Sequence, residues 1–253
     1  MQSRDNDPYN RSQAPATVSE RDQTVETLGG VIESSAPREG FLTGAFVWMF
    51  VGVLLSGISA SFVMNNAALM ETVLDYWIFL FIGQIGLVMV ISFAINRISS
   101  TAALLLFFVY ALTMGLTLGV IVTAYVGIIG ASGVVSAFAG AAAIFGGAAV
   151  YGYATGRDLT SLGGILFMGL LGLIVVMFLQ IFFFADSSTA SLLIGIGGVV
   201  IFTGLTAWDV QRLKNGNMPN INKESATVLG ALALYLDFVN LFLFMLRIFG
   251  SSR

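Results

Sequence analysis

The sequence predicts an all-α membrane protein, a bundle of hydrophobic helices that cross the bilayer repeatedly. Three observations carry this prediction. Of 253 residues, 57% are hydrophobic and only 10% charged, at a mean hydropathy of +0.91; soluble domains carry about a quarter charged residues. Beyond residue 40 the chain alternates long apolar runs with short polar breaks, and about 20 apolar residues cover a hydrocarbon core roughly 30 Å thick. The breaks are too short to hold a second, soluble domain.

Residues 1–40 are of another kind. They hold four arginines, seven acids and many Ser, Thr, Gln and Asn, with almost no apolar cluster. Such a composition predicts a disordered cytoplasmic tail. No apolar core follows a short basic start, so the tail is no signal peptide and the first span acts as an uncleaved anchor. Residues 41–250 then form the transmembrane bundle. Seven runs reach spanning length: 41–63, 76–95, 101–124, 131–154, 162–184, 190–212 and 226–249. The breaks hold turn and polar residues, among them Asn65-Asn66, Asn96-Arg97, Gly156-Arg157-Asp158 and Asp186-Ser187-Ser188; the longest runs from Lys214 to Ser225. The fourth run is built largely from Gly, Ala and Ser, which lets helix backbones approach closely. Gly115 and Gly119 in the third form a G-x-x-x-G pair, read as internal packing in preference to dimerisation.

Charge orients the bundle. With the N-terminus inside, Arg4, Arg11, Arg21, Arg38, Arg97, Arg157, Arg212, Lys214 and Lys223 all fall on the inner side, and the outer loops between spans hold no base. The positive-inside rule therefore places the N-terminus in the cytoplasm. Arg247 and Arg253 depend on the last run. Its 24 residues favour a full crossing, whereas the charge count favours a C-terminus that stays inside.

The absences narrow the chemistry. The chain has no cysteine and no histidine, which removes disulfides, thiolate nucleophiles, the usual metal ligands and the near-neutral titrating side chain. A Ser-His dyad and a zinc protease are excluded, and no metal site or cofactor is expected. Net charge is −3 with no basic stripe, so nucleic acid is not an expected partner. Any proton chemistry falls to carboxylates.

Asp237 stands eleven positions into the last run, roughly 16 Å deep at 1.5 Å per residue. A carboxylate at that depth costs at least about 2.5 kcal/mol, so it faces a partner or water. Ala226, Gly230, Ala233 and Asn240 share its face. Asp237 either serves function or is a protonated carboxyl bonded within the bundle. Asp209 ends the sixth run on a face with Gly198, Leu205, Thr206 and Arg212, and Arg212 at i+3 offers a simple ion pair as the alternative. Helix spacing puts Asp209 nearer the inner surface than Asp237 unless the last helix starts below the membrane plane. Arg97 closes the second run as an interface anchor or a partner for buried acid. Glu71, Asp75 and Asp186 lie in outer loops, where they would concentrate cations. Together with Asn240 they are the ion-pathway candidates. Two aspartates on consecutive helices are also found in intramembrane aspartyl proteases, but those carry G-x-G-D where this chain has Leu234-Tyr235-Leu236-Asp237.

Thr203 to Lys214 (TGLTAWDVQRLK), Ala233 to Phe242 (ALYLDFVNLF) and Leu246 to Gly250 (LRIFG) closely resemble the Bax inhibitor-one, or transmembrane Bax-inhibitor-motif, family. Tyr151-Gly152-Tyr153 before Arg157-Asp158-Leu159, and Gly115 to Leu118, are similar to its bacterial branch. The likeness covers about residues 41–250. It implies seven helices with the last one central, and a pH-sensitive calcium leak channel in a bacterial inner membrane. It implies an aspartate pair, matched by Asp209 and Asp237, as the pH sensor, and an arginine latch, matched by Arg97, on the last-helix aspartate. Calcium is then the permeant ion and the lipid bilayer the standing partner; no enzyme activity is expected. Two carboxylates in low dielectric cannot both ionise cheaply, so they share a proton, and a two-state element biased by that proton is what gating requires. A secondary transporter and a non-conducting regulator that binds other membrane proteins are the alternatives.

Overall fold

The structure is a computed structural model, and it describes residues 39–183, 187–216 and 221–251. The expected tail, Asp186 and Arg253 lie outside the described residues. The described chain is helical: α1 (Glu39–Met64), α2 (Ala67–Asp75), α3 (Trp77–Ala94), α4 (Ser100–Ala154), α5 (Thr160–Phe183), α6 (Ser188–Lys214) and α7 (Lys223–Ser251). All but α2 are long and apolar enough to cross a membrane, which makes six such helices.

Capping residues in the polar breaks start several helices. Asn66 Oδ1 accepts from Leu69 N at 3.0 Å, Ser99 Oγ from Ala102 N at 3.2 Å and Ser187 Oγ from Ala190 N at 3.2 Å. Each satisfies an amide that the first helical turn leaves open. At the start of α7, Asn222 Oδ1 accepts from Ser225 N at 2.8 Å.

Two features differ from the sequence expectation. The outer break after Asn66 is itself partly helical, because Asn66 caps α2. The break expected between the third and fourth runs shrinks to one residue in the 55-residue α4, Gly130, whose φ is +76° and ψ 165°. Left-handed φ suits glycine and strains other residues. At 1.5 Å per residue a straight helix of this length would reach roughly 80 Å, far beyond one crossing. Contacts show that it doubles back. From α1 residue 46 to residue 63, neighbours on the first limb ascend from Phe107 beside Gly52 to Gly119 beside Val63. On the second limb they descend, from Phe145 against Phe46 to Phe138 beside Ser61 and Asn65. The sequence 125–130 holds no charged or amide side chain, and of its two glycines Gly130 makes the turn.

Small residues set the closest approaches. A Cβ on Gly115 would lie 2.5 Å from Ser56 O, and one on Gly119 would lie 2.8 Å from Ala60 O. The G-x-x-x-G pair thus seats α1 inside the bundle. A Cβ on Gly152 would meet Ala207 O at 2.2 Å, so α4 and α6 touch backbone to backbone.

Helix α7 is the most enclosed: 67% of its most apolar window is buried, against 11% for α3 and α5. It packs on α1, α4 and α6, whereas α3 lies mainly against α4 and α5 mainly against α6. Gly44 sits beside Thr227 and Gly52 beside Tyr235, so α7 runs parallel to α1. Its last turn therefore stands at the end of the bundle where α1 finishes, and α7 is long and apolar enough to cross a membrane. One end of the bundle carries Arg97, Arg157, Arg212, Lys214 and Lys223 with Asp158 and Glu224; the other carries Glu71 and Asp75 with Arg247.

Candidate functional site: an aspartate pair between α6 and α7

Helices α6 and α7 run antiparallel. Gly195 lies against Ile248, Gly198 against Phe244 and Gly230 against Leu213. That register brings Asp209 and Asp237 together, 7% and 4% exposed, with their carboxyl groups within hydrogen-bonding reach of each other. The geometry also accounts for the depth mismatch expected from sequence. Leu213, at the end of α6, is level with Gly230, so the first two turns of α7 extend beyond the end of α6.

An ionised carboxylate only accepts hydrogen bonds, so a bond between two carboxyls needs a proton on at least one of them. Asp237 Oδ2 has no hydrogen-bond partner, an orphaned buried oxygen in a site that could hold a proton, water or cation. Thr206, fully buried one turn before Asp209, adds a hydroxyl. Its Oγ1 donates to Phe202 O at 2.8 Å and also stands within hydrogen-bonding reach of Asp237. The hydroxyl has a single hydrogen. A protonated Asp237 can donate to Thr206 while Thr206 donates to Phe202 O; an ionised Asp237 draws that hydrogen to itself and releases the carbonyl.

The arginine whose charge reaches the pair is Arg212, which acts on Asp209 from the next turn of α6. Its guanidinium lies over the Trp208 ring, 5.2 Å from the centroid. Gln211 fastens the same end to the α4–α5 loop, with Oε1 accepting from Leu159 N and Nε2 donating to Arg157 O, both at 2.7 Å. In that loop Asp158 is exposed and accepts from Thr160 N at 2.9 Å; bonding to Thr160 holds its carboxyl below the usual carboxylate range.

The other candidates are dispersed. Arg97 is exposed at the end of α3, and among the described residues no ion pair joins it to Asp237. Asn240 Nδ2 turns back onto Leu236 O at 2.8 Å. Glu71 and Asp75 are exposed on α2. Among the described residues no three acidic side chains converge. Three partners had not been singled out from the sequence: Thr206 as a ligand of Asp237, Ser56 and the Arg247 contacts. Ser56 Oγ donates to Ala111 O at 2.7 Å and meets Tyr235 Oη at 2.5 Å on the opposite face of α7. A serine in an apolar run is the only signal such contacts leave in sequence.

Fold and site define a multi-pass helical membrane protein with two adjacent carboxyl groups buried inside its bundle. Comparison with known proteins gives the family. The model of the family described as inhibitor of apoptosis-promoting Bax1 matches residues 38–253, and the chain belongs to that family. It is 37% identical over 231 residues to the inner membrane protein YbhL of Escherichia coli strain K12, covering 88% of this chain and 96% of that one. It is 40% identical over 224 residues to a protein of Borreliella burgdorferi, covering 85% and 94%. A Deinococcus radiodurans protein is 38% identical over 216 residues, covering 84% and 90%.

Proposed function

We propose that the chain is a pH-sensitive calcium leak channel of a bacterial inner membrane, with Asp209 and Asp237 sharing the proton that sets its state. The observation that carries this reading is the buried carboxyl pair with its orphaned Asp237 Oδ2. A charge at that depth is costly unless it serves a pathway or a proton relay. Gain or loss of the shared proton changes the repulsion between two helices and redirects the Thr206 hydroxyl, which is a local event able to bias a bistable packing. In this reading α7 is the central helix, consistent with its burial, and the basic end faces the cytoplasm. The acids Glu71 and Asp75 then stand at the outer mouth, where they raise the local cation concentration. The Arg97 latch on Asp237 belongs to a second arrangement in which α3 moves toward α7.

Calcium flux into liposomes that contain only this protein tests the proposal. A flux that changes steeply with pH supports it. Absence of flux at every pH, in protein that is folded and inserted, replaces it with the regulator that works through other membrane proteins.

A further inference from the structure

Arg247 is a cation on the end of the bundle that otherwise lacks bases among the described residues, and the aspartate site does not use it. It is half-buried one turn before the end of α7. Its Nε donates to Ser191 O at 3.1 Å and to Ser191 Oγ at 3.0 Å on α6, and its Nη2 donates to Gln180 Oε1 on α5. The Tyr125 ring of α4 is beside it: a Cβ on Gly250 would lie 2.7 Å from that ring, and Tyr125 is the group Arg247 feels electrostatically. Among the described residues no carboxylate pairs with it. A snorkelling arginine sends its head to the interface, away from the bundle; this one turns inward and ties three helices, and its partners among the described residues are neutral acceptors.

The seam between α6 and α7 is layered below it. Next come Gly195 against Ile248 and Gly198 against Phe244, with the Phe202 and Phe244 rings 5.7 Å apart. Thr206, Asp237 and Asp209 follow. A cation moving along this seam from the acidic end meets a fixed positive charge, then an apolar seal, and only then carboxylates. We infer that Arg247 is a cation-excluding clamp: held by Gln180 and Ser191, it closes that end of the α6–α7 seam, and it must withdraw before a cation reaches the aspartate pair. This deepens the channel reading and rests on it for the route, although the clamp itself can be tested without any flux.

The chain has no cysteine, so a single one can report on the seam. Ile194 is buried, one turn inward of Ser191 on the same face of α6. Ile194→Cys in the purified full-length protein is labelled with two methanethiosulfonates, one carrying a trimethylammonium group and one a sulfonate, each rate normalised to a free thiol. With Arg247 present the anionic reagent is favoured. Arg247→Gln is expected to lower the anion-to-cation ratio about tenfold, the scale on which fixed charges alter local ion concentration, and Arg247→Lys to retain it. A ratio unchanged within about twofold in Arg247→Gln overturns the clamp. If Arg247→Gln does not fold, Gln180→Leu serves, since freeing the guanidinium should speed cationic labelling about fivefold; an unchanged rate there overturns it equally. Calcium flux from the same preparations separates the two ideas. A shifted ratio with no flux in any variant removes the channel and keeps the clamp, while flux with an unshifted ratio does the reverse.

Discussion

The two faces of α7 hold polar side chains at nearly the same depth and treat them in opposite ways. Toward α1 and α4, Tyr235 is completely buried and its hydroxyl meets Ser56, which passes the bond to Ala111 O. The Tyr235 ring is wedged edge-on against Phe107 and Tyr110, at 5.6 and 5.8 Å. Toward α6, Asp237 meets another acid and a threonine that already serves Phe202 O, and one of its oxygens has no partner. Two residues apart, one hydroxyl is hydrogen-bonded and the other side chain has an oxygen without a partner among the described residues. A satisfied polar network rigidifies; a frustrated one supplies alternatives of similar energy. In the proposed channel the Tyr235 face would be the hinge side of α7 and the Asp237 face its responsive side.

The sharpest way to break this comparison is to remove the frustration. Asp209→Asn and Asp237→Asn should each abolish the pH dependence of calcium flux, and the double variant should add little, because both singles destroy the same shared proton. Two separable, additive shifts in a flux titration would mean independent carboxyls. The next largest effect concerns Arg97. If it latches Asp237 in a closed arrangement, Arg97→Ala raises basal leak in the wild-type background and does nothing once Asp237 is Asn. Equal leak in both backgrounds leaves Arg97 as an interface anchor, the role its exposure in this structure matches.

Thr206→Val gives a smaller change. It keeps shape and removes the hydroxyl that Phe202 O and Asp237 share. The flux profile should keep its pH dependence and move its midpoint by about one pH unit, the scale of one hydrogen bond to a charged group. An unmoved midpoint would leave Thr206 a helix-packing residue only.

The contrast also shows what the sequence could express. Several helix starts were legible because a capping residue stands in the polar break before them: Asn66, Ser99 and Ser187. The aspartates were legible because charge is rare in such runs. Facing was not. In a soluble helix the polar side marks the surface, but here both lipid and core are apolar, so composition does not distinguish the buried Leu213 from the exposed Phe182. For that reason Arg212 could not be ranked above Arg97 as the cation near the pair, nor Ser56 matched to Tyr235 across 179 positions. The turn at Gly130 falls inside the break expected between 124 and 131, although no polar loop marks it.

The smallest expected effect tests the hinge side. Tyr235→Phe removes one hydroxyl and leaves the ring, so the edge contacts with Phe107 and Tyr110 persist. Ser56 still donates to Ala111 O and loses only what it shared with Tyr235. A hydrogen bond of this kind contributes about 0.5–1.5 kcal/mol, and interhelical bonds in membranes average nearer the low end because the separated helices also find partners. Thermal unfolding in detergent should therefore shift by a few degrees at most, with the flux profile unmoved in midpoint and steepness. Ser56→Ala should cost more, since it takes a donor from the Ala111 carbonyl as well. If Tyr235→Phe instead moves the pH midpoint as far as Thr206→Val does, the two faces of α7 are coupled, and the proton on the aspartate pair is felt across the helix.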